Sequence, residues 1–322
     1  MRAVVFEGTG GNEVVHVRER PDPIPRGSEV VVAVRHAGIN PADLLQRRGH
    51  YPAPPGAPDD VPGLEVAGEV VLTGDRARRW RPGDRVFGLV GGGGLAERVV
   101  VDESNLAPVP SSLDEAEAAA VPEAFVTAHD ALRTQAGLTP GERVLVQGAT
   151  GGVGTAALQL VTAMGARAYG VSRSEAGREL VASLGATPIA DDDVVAGVRE
   201  HAGAIDVVLE LVGAPQVPAD LEVLATGGRV VVVGVGAGAK VEVNLLALMG
   251  RRARLIGTVL RARDVPEKAA AMRAFEREVV PLLASGAVRP LVDTTYPADA
   301  VREAFDHLAA AGKRGKLLLD FG

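Results

Sequence analysis

A chain of 322 residues and 33.1 kDa exceeds what one simple hydrophobic core usually holds, so two domains are expected. A hydrophobic fraction of 47% beside 23% charged residues excludes extensive disorder, and a formal charge of -7 with a pI near 5.5 argues against binding a nucleic-acid backbone. Cysteine is absent, which removes disulfides, thiolate zinc sites, iron–sulfur clusters and a cysteine nucleophile.

The opening MRAVVFEGTGG has no apolar signal core, and the run VVVVGVGAGAKVEVNLL is broken by Lys240, Glu242 and Asn244, so a soluble cytoplasmic protein with no membrane partner is expected. Among the 34 basic residues only Lys240, Lys268, Lys313 and Lys316 are lysine, a scarcity read as codon bias.

Residues 1 to about 121 are rich in Pro and Gly, with short runs such as EVVVAVRHAG, LEVAGEVV and ERVVVDESNLAPVP that predict a mostly β domain. After the helical SSLDEAEAAAVPEAFVTAHDAL, strands alternate with helices. Strands are expected at 144–146, 168–171, 206–209, 230–233 and 254–256, a βαβ series that predicts a parallel sheet. Helices are expected over 265–284 and 298–311, then a final strand KLLLDF.

Within VLVQGATGGVGTAALQL, Val153, Ala156, Ala157, Leu160, Val161 and Met164 form one helical face, with Gly165 as a stop. The glycines therefore sit in a strand-to-helix turn. There they permit close approach of a ligand, and the helix start offers free N–H groups to an anion. The pattern from Ala149 through Thr150, Gly151, Gly152 and Val153 to Gly154 is not a strict G-x-G-x-x-G. Its place in a βαβ unit nevertheless marks a dinucleotide pyrophosphate cradle.

At the end of the next strand, where an NAD site would carry an acidic residue, stand Ser172 and Arg173. A hydroxyl and a guanidinium suit a 2'-phosphate, each charge-assisted bond contributing about 1.5 to 3 kcal/mol. Two such contacts predict NADPH preferred over NADH by about a hundredfold.

A nicotinamide cofactor implies hydride transfer. Reduction of a simple ketone generates an alkoxide that calls for zinc or a proton relay. His16, His36, His50, His129, His201 and His307 show no paired ligand spacing, so no metal site is expected. The anion from a quinone is phenol-like, with a pKa near 10, and that from an enone is a delocalised enolate. The sequence thus favours an acceptor of one of these kinds.

GINPADLLQRRGHY, GLEVAGEV, PGDRVFGLVGGGGLAE, AAAVPEAFVTAHDAL, GTVLRARD and the terminal GKLLL, together with the glycine turn, resemble the zinc-free quinone oxidoreductases, the ζ-crystallin-like branch of the medium-chain dehydrogenase/reductase superfamily. The resemblance covers nearly the whole chain. It implies an α/β fold, a Rossmann doubly wound parallel sheet (122–264) plus a GroES-like mostly β catalytic domain (1–121 and 265–322). NADPH would lie in the cleft between them, and a homodimer would form by edge pairing of the last Rossmann strand around 254–260.

The resemblance also implies Asn40 and Tyr51 beside the nicotinamide and substrate, with Tyr51 polarising the acceptor oxygen, and the Thr127 hydroxyl near the cofactor. It extends the cofactor contacts from Thr150, Gly151, Gly152, Val153, Gly154, Ser172 and Arg173 to Val212, Gly234, Val235, Val259 and Leu260. Two departures bear on the phosphate: Gly177 stands where relatives carry lysine, and Ala190-Asp191 where they carry Asn-Tyr. NADPH preference then rests on Ser172 and Arg173, helped by Arg178 and opposed by Asp191. The glycines at 91–94 read either as a mobile lid or as a flexible turn.

The expected function is an NADPH-dependent quinone oxidoreductase. An alkenal or enoyl reductase on the same scaffold, and a non-catalytic NADPH-binding protein, are the alternatives.

Overall fold

The alternating runs of the first third form β1 (Arg2–Phe6), β2 (Val15–Glu19), β3 (Glu29–Ile39), β4 (Glu65–Thr73), β5 (Arg85–Leu89), β6 (Arg98–Asp102) and β7 (Leu106–Pro108). Helices then separate β8 (Arg143–Val146), β9 (Arg167–Ser172), β10 (Thr187–Ala190), β11 (Ile205–Glu210), β12 (Leu224–Val232) and β13 (Arg254–Gly257). The chain closes with β14 (Val292–Pro297) and β15 (Lys316–Asp320). This computed structural model describes residues 1–322.

Two compact units result, residues 1–126 with 260–322, and residues 127–259. Against expected borders of 121/122 and 264/265, the units part at 126/127 and 259/260. The turn Pro122–Val126 packs on β4 and β5 and so belongs with the first unit.

In the first unit the order β14-β15-β3-β4-β5-β7 makes one sheet, with β6 also paired to β3 and β1–β2 as a separate ribbon. Only β14 and β15 run parallel within that sheet. Val30, Val32, Val66, Val86, Leu317 and Leu319 share one core with Phe305 of the helix Val301–Ala309, which covers β15. The register Leu317↔Ile39 carries Lys316 alongside the end of β3, next to Asn40.

The second unit is a six-stranded, wholly parallel sheet in the order β10-β9-β8-β11-β12-β13, the doubly wound arrangement with a switch point between β8 and β11. All five expected strands are present. The sixth, β10, is four residues with Pro188 inside; it lies at the sheet edge, where a missing N–H is tolerated.

The helix expected over 265–284 is two, Val265–Glu278 and Val280–Ser285, because Pro281 cannot extend the hydrogen-bond ladder of the first. No helix is long and apolar enough to cross a membrane.

Candidate functional site

In the second unit, the strand-to-helix turn follows β8, at the carboxyl edge of the sheet. Its glycines answer to different demands. Gly148 adopts φ +63°, which disfavours a side chain. At Gly154 a Cβ would lie 2.5 Å from the Gly148 carbonyl oxygen, so the helix can seat on the turn only without one.

Gly151 has an ordinary φ of -77°, and a Cβ there would meet only the Gly148 oxygen, at 3.7 Å. Nothing within the protein requires glycine at 151. The space over the start of helix Gly152–Ala163 is open, and no side chain caps that helix. Its first N–H groups, from Gly152, Val153 and Gly154, are thus available to an anion.

Thr150 lies against the segment that follows β9, since a Cβ on Gly177 would meet Thr150 Cγ2 at 3.0 Å and Ser172 Oγ at 2.1 Å. The glycine turn, Ser172 and Gly177 are therefore neighbours. Ser172 is buried and its hydroxyl has only a 3.5 Å contact to the Ser174 carbonyl. Arg173 is exposed, and neither its guanidinium nor that of Arg178 has a protein acceptor. Asp191 follows Ala190, which is registered opposite Ser172.

On the other side of the switch point, Glu210 ends β11 and its carboxylate accepts the N–H groups of Val212 (2.5 Å) and Gly213 (2.7 Å). Ala237 N–H reaches the Val212 carbonyl at 2.9 Å, and a Cβ on Gly234 would strike the Leu211 oxygen at 2.3 Å. Val212, Gly234 and Val235 are drawn together by these contacts. Val235 and Val259 are exposed, whereas Leu260 is buried in the first unit.

Beneath the Glu210 turn, Asp220 receives a 2.7 Å hydrogen bond from Gln147. Burial and then the Glu210 carboxylate push the Asp220 carboxyl well above its usual range. Thr127 is buried, and its hydroxyl oxygen has no partner within the protein. It does not bond back to a helix carbonyl, which leaves an orphaned polar atom for a ligand to satisfy.

In the first unit, Asn40 caps the helix Pro41–Arg47. Its side-chain amide donates to Glu65 Oε1 at 2.9 Å and accepts from Lys316 Nζ at 2.6 Å, and Lys316 also forms a very short ion pair with Glu65. Glu65 is fully buried and Lys316 nearly so. Room for the carboxylate exists because residue 38 is glycine, where a Cβ would lie 2.1 Å from Glu65 Oε1. The second oxygen of Glu65 accepts the Glu123 N–H at 2.7 Å. Asn40 thus has both ends of its amide engaged inside this trio.

Asp43 accepts the N–H of Asn40 at 2.8 Å and of Gly63 at 3.3 Å, yet burial pushes its carboxyl up to about 6. Glu123 has no such donors on its own carboxyl, and burial followed by the Glu65 charge pushes it up to about 8. Arg261 donates to the Gly91 carbonyl (2.8 Å), the Tyr51 carbonyl (3.0 Å) and Gln46 Oε1 (2.7 Å), with its guanidinium over the Tyr51 ring at 4.9 Å. Tyr51 is half-buried with an unpartnered hydroxyl, and burial and then Glu123 push that phenol up. Lys268 is buried without a hydrogen-bond acceptor, its ammonium lowered by burial and then by Arg261.

The glycines at 91–94, expected as a mobile lid or a flexible turn, pack against residues 54–63. Gly92, Gly93 and Gly94 are buried, Gly93 N–H bonds the Val61 carbonyl at 2.8 Å, and a Cβ on Gly91 would meet Pro54 at 2.9 Å. These glycines let two chain segments lie in contact.

Asp43, Glu65, Glu123, Arg261, Lys268 and Lys316 were not assigned chemistry from the sequence. A usable signal lies in the lysines: where arginine is otherwise universal, two of four lysines are buried, positions that take a compact ammonium.

Residues 26–111 match the family described as alcohol dehydrogenase GroES-like domain, and residues 152–276 the family described as zinc-binding dehydrogenase. Quinone oxidoreductase of Homo sapiens is 33% identical over 99% of this chain and 97% of its own. Among solved structures, the quinone oxidoreductase from Thermus thermophilus, described with its NADPH complex, superposes with a TM-score of 0.86 at 35% identity, covering 100% of both chains. The CurK enoyl reductase superposes with a TM-score of 0.88 at 25% identity, covering 99% of this chain and 98% of its own.

Proposed function

This chain belongs to the quinone oxidoreductases of the medium-chain dehydrogenase/reductase superfamily, and from that premise we infer that it reduces a small quinone with NADPH and without zinc. When bound, the reduced nicotinamide supplies a hydride. The observation that carries the cofactor reading is the open space at Gly151 above uncapped helix N–H groups, which fit a pyrophosphate. The orphaned Thr127 hydroxyl supplies a further polar contact.

Ser172, Arg173 and Arg178 would hold the 2'-phosphate, since Arg173 directly follows β9 and Arg178 lies on the first turn of the helix Glu175–Ser183, both guanidiniums without a protein acceptor. Asp191 opposes them.

The donor set around Asn40 does not suit zinc. It consists of an amide, a carboxylate and the Lys316 ammonium, with no thiolate or imidazole, and the ammonium already neutralises the carboxylate. An acceptor whose anion is delocalised requires no metal there. The Tyr51 hydroxyl, kept protonated and unpartnered, would polarise the acceptor oxygen, and Asn40 holds Lys316 and Glu65 in place. An enone acceptor fits the same residues, and the CurK enoyl reductase shares the fold.

We also infer a homodimer. One edge of β13 is unpaired, and Leu255 on it lies near in sequence to the exposed Leu245, Leu246 and Met249.

The test is NADPH and NADH oxidation across quinone, enone and aldehyde acceptors. Quinone turnover with NADPH is expected; enone turnover alone selects the enoyl reductase, and tight binding without any turnover a non-catalytic protein. Arg173→Ala should weaken NADPH by about tenfold to a hundredfold with little change for NADH. Asp191→Asn should strengthen NADPH severalfold, and equal effects on both cofactors would remove the phosphate assignment.

A further inference from the structure

Two carboxyl groups meet in the first unit, and they are treated in opposite ways. Glu65 is saturated by N–H donors: Lys316 and Asn40 on one oxygen, the Glu123 main chain on the other. Glu123 lies directly beside it through that main-chain bond, and its own carboxyl oxygens accept no hydrogen bond from any protein group. Unlike Glu65, Glu123 is only partly buried. It sits in the π-helical turn Pro122–Val126, a local widening that recurs at functional sites.

The groups facing it are named by the chain: acidic Glu65 and Asp43, basic Lys316, Arg261 and Lys268, and the Tyr51 phenol. Lys316 is committed to Glu65 and Asn40, and the described bonds of Arg261 go to carbonyl and amide oxygens, so no cation forms an ion pair with Glu123.

We propose that Glu123 is the proton donor of the reaction, giving its carboxyl hydrogen to the acceptor oxygen held by Tyr51, while the Glu65–Lys316 pair fixes its position. This assignment rests on the quinone reductase reading. Hydride supplied to one quinone oxygen would form an O–H bond there as the ring becomes aromatic, leaving the electron pair on the opposite, phenolate oxygen. The O–H bond of Glu123 then breaks as the new acceptor O–H forms, and the Glu123 carboxylate regains a proton from solvent between turnovers. A carboxyl pushed up to about 8 is protonated at neutral pH and is still a stronger acid than a phenol near 10, so the transfer runs downhill.

Three measurements on the full-length protein test this. Infrared difference spectra of the cofactor-free protein, wild type against Glu123→Gln, should contain a carboxylic acid band that titrates near pH 8 and is missing from the variant. Thermal unfolding gives a second readout. A carboxyl raised from 4.5 to about 8 contributes stability that is full below 4.5 and lost as pH rises through 8, so Glu123→Gln should gain on the wild type between pH 5 and 8.

In steady-state assays, Glu123→Gln should lose about a hundredfold or more in kcat at unchanged NADPH Kd, together with the decline of kcat above pH 8. Glu123→Asp, which keeps the acid but withdraws it, should lose less. A Gln variant with kcat and pH profile like the wild type, or a carboxyl band titrating below pH 6, overturns the assignment of Glu123 alone. A wild-type enzyme that oxidises NADPH with no quinone overturns the underlying function, and this role with it.

Discussion

In the second unit the groups proposed to face a ligand are main-chain N–H groups of one contiguous turn, Gly151 to Gly154. In the first the proposed site is built of side chains, Tyr51 and Glu123 supported by Asn40, Glu65, Arg261 and Lys316, spread over most of the chain. A main-chain site requires only that side chains be missing, so glycine suffices and nothing in it titrates. A side-chain site requires buried charges, each costly to desolvate unless paired. In the proposed mechanism the side-chain site transfers a proton through Glu123, whose carboxyl is pushed up to about 8. The main-chain site can bind a phosphate but offers no such group.

The largest expected effect comes from breaking the charged trio. Lys316→Met leaves Glu65 buried without its countercharge and should cost about 3 to 5 kcal/mol in urea unfolding. Adding Glu65→Gln, which removes the charge, should recover a large part of that loss. No recovery would mean that packing, and not charge pairing, holds the first unit together.

A smaller effect separates two glycines of one turn. Gly154→Ala places a methyl 2.5 Å from the Gly148 oxygen and should destabilise by about 1 to 3 kcal/mol. Gly151→Ala should leave the unfolding midpoint unchanged while weakening dinucleotide binding about tenfold, measured by fluorescence titration. If the Gly151 variant bound as tightly as the wild type, the space above the helix would not be where the pyrophosphate sits.

The smallest effect on either unit's own fold is expected from Leu246→Glu on the exposed face of the helix Leu245–Arg251. It should shift sedimentation toward monomer with little change in far-UV circular dichroism. An unchanged mass would remove this face from the proposed dimer.

The second unit was largely legible in the sequence. Its glycine turn, the helix behind it and the five strands 144–146 to 254–256 are local patterns, in which neighbours in sequence are neighbours in space. Only β10 escaped, being short and carrying Pro188. The first unit was legible as β texture and as quoted blocks, but the meaning of Glu65, Glu123 and Lys316 was not.

The glycines at 91–94 make close contacts with 54–63 that the string did not disclose, because a glycine run reports a missing side chain without saying what fills the space. The scarcity of lysine, taken for codon bias, coincides with burial at Lys268 and Lys316.

The sequence by itself determined most of the strands and helices, the glycine turn and the family, since hydrophobic period and turn chemistry act over a few residues. Tertiary structure alone decided which charges are paired. The register Leu317↔Ile39 brings Lys316 to Asn40, and β4 brings Glu65 to both. Electrostatic energy depends on distance and burial and is blind to separation along the chain, so a carboxyl such as Glu123 is held protonated toward neutral pH only when the sheet has closed around it.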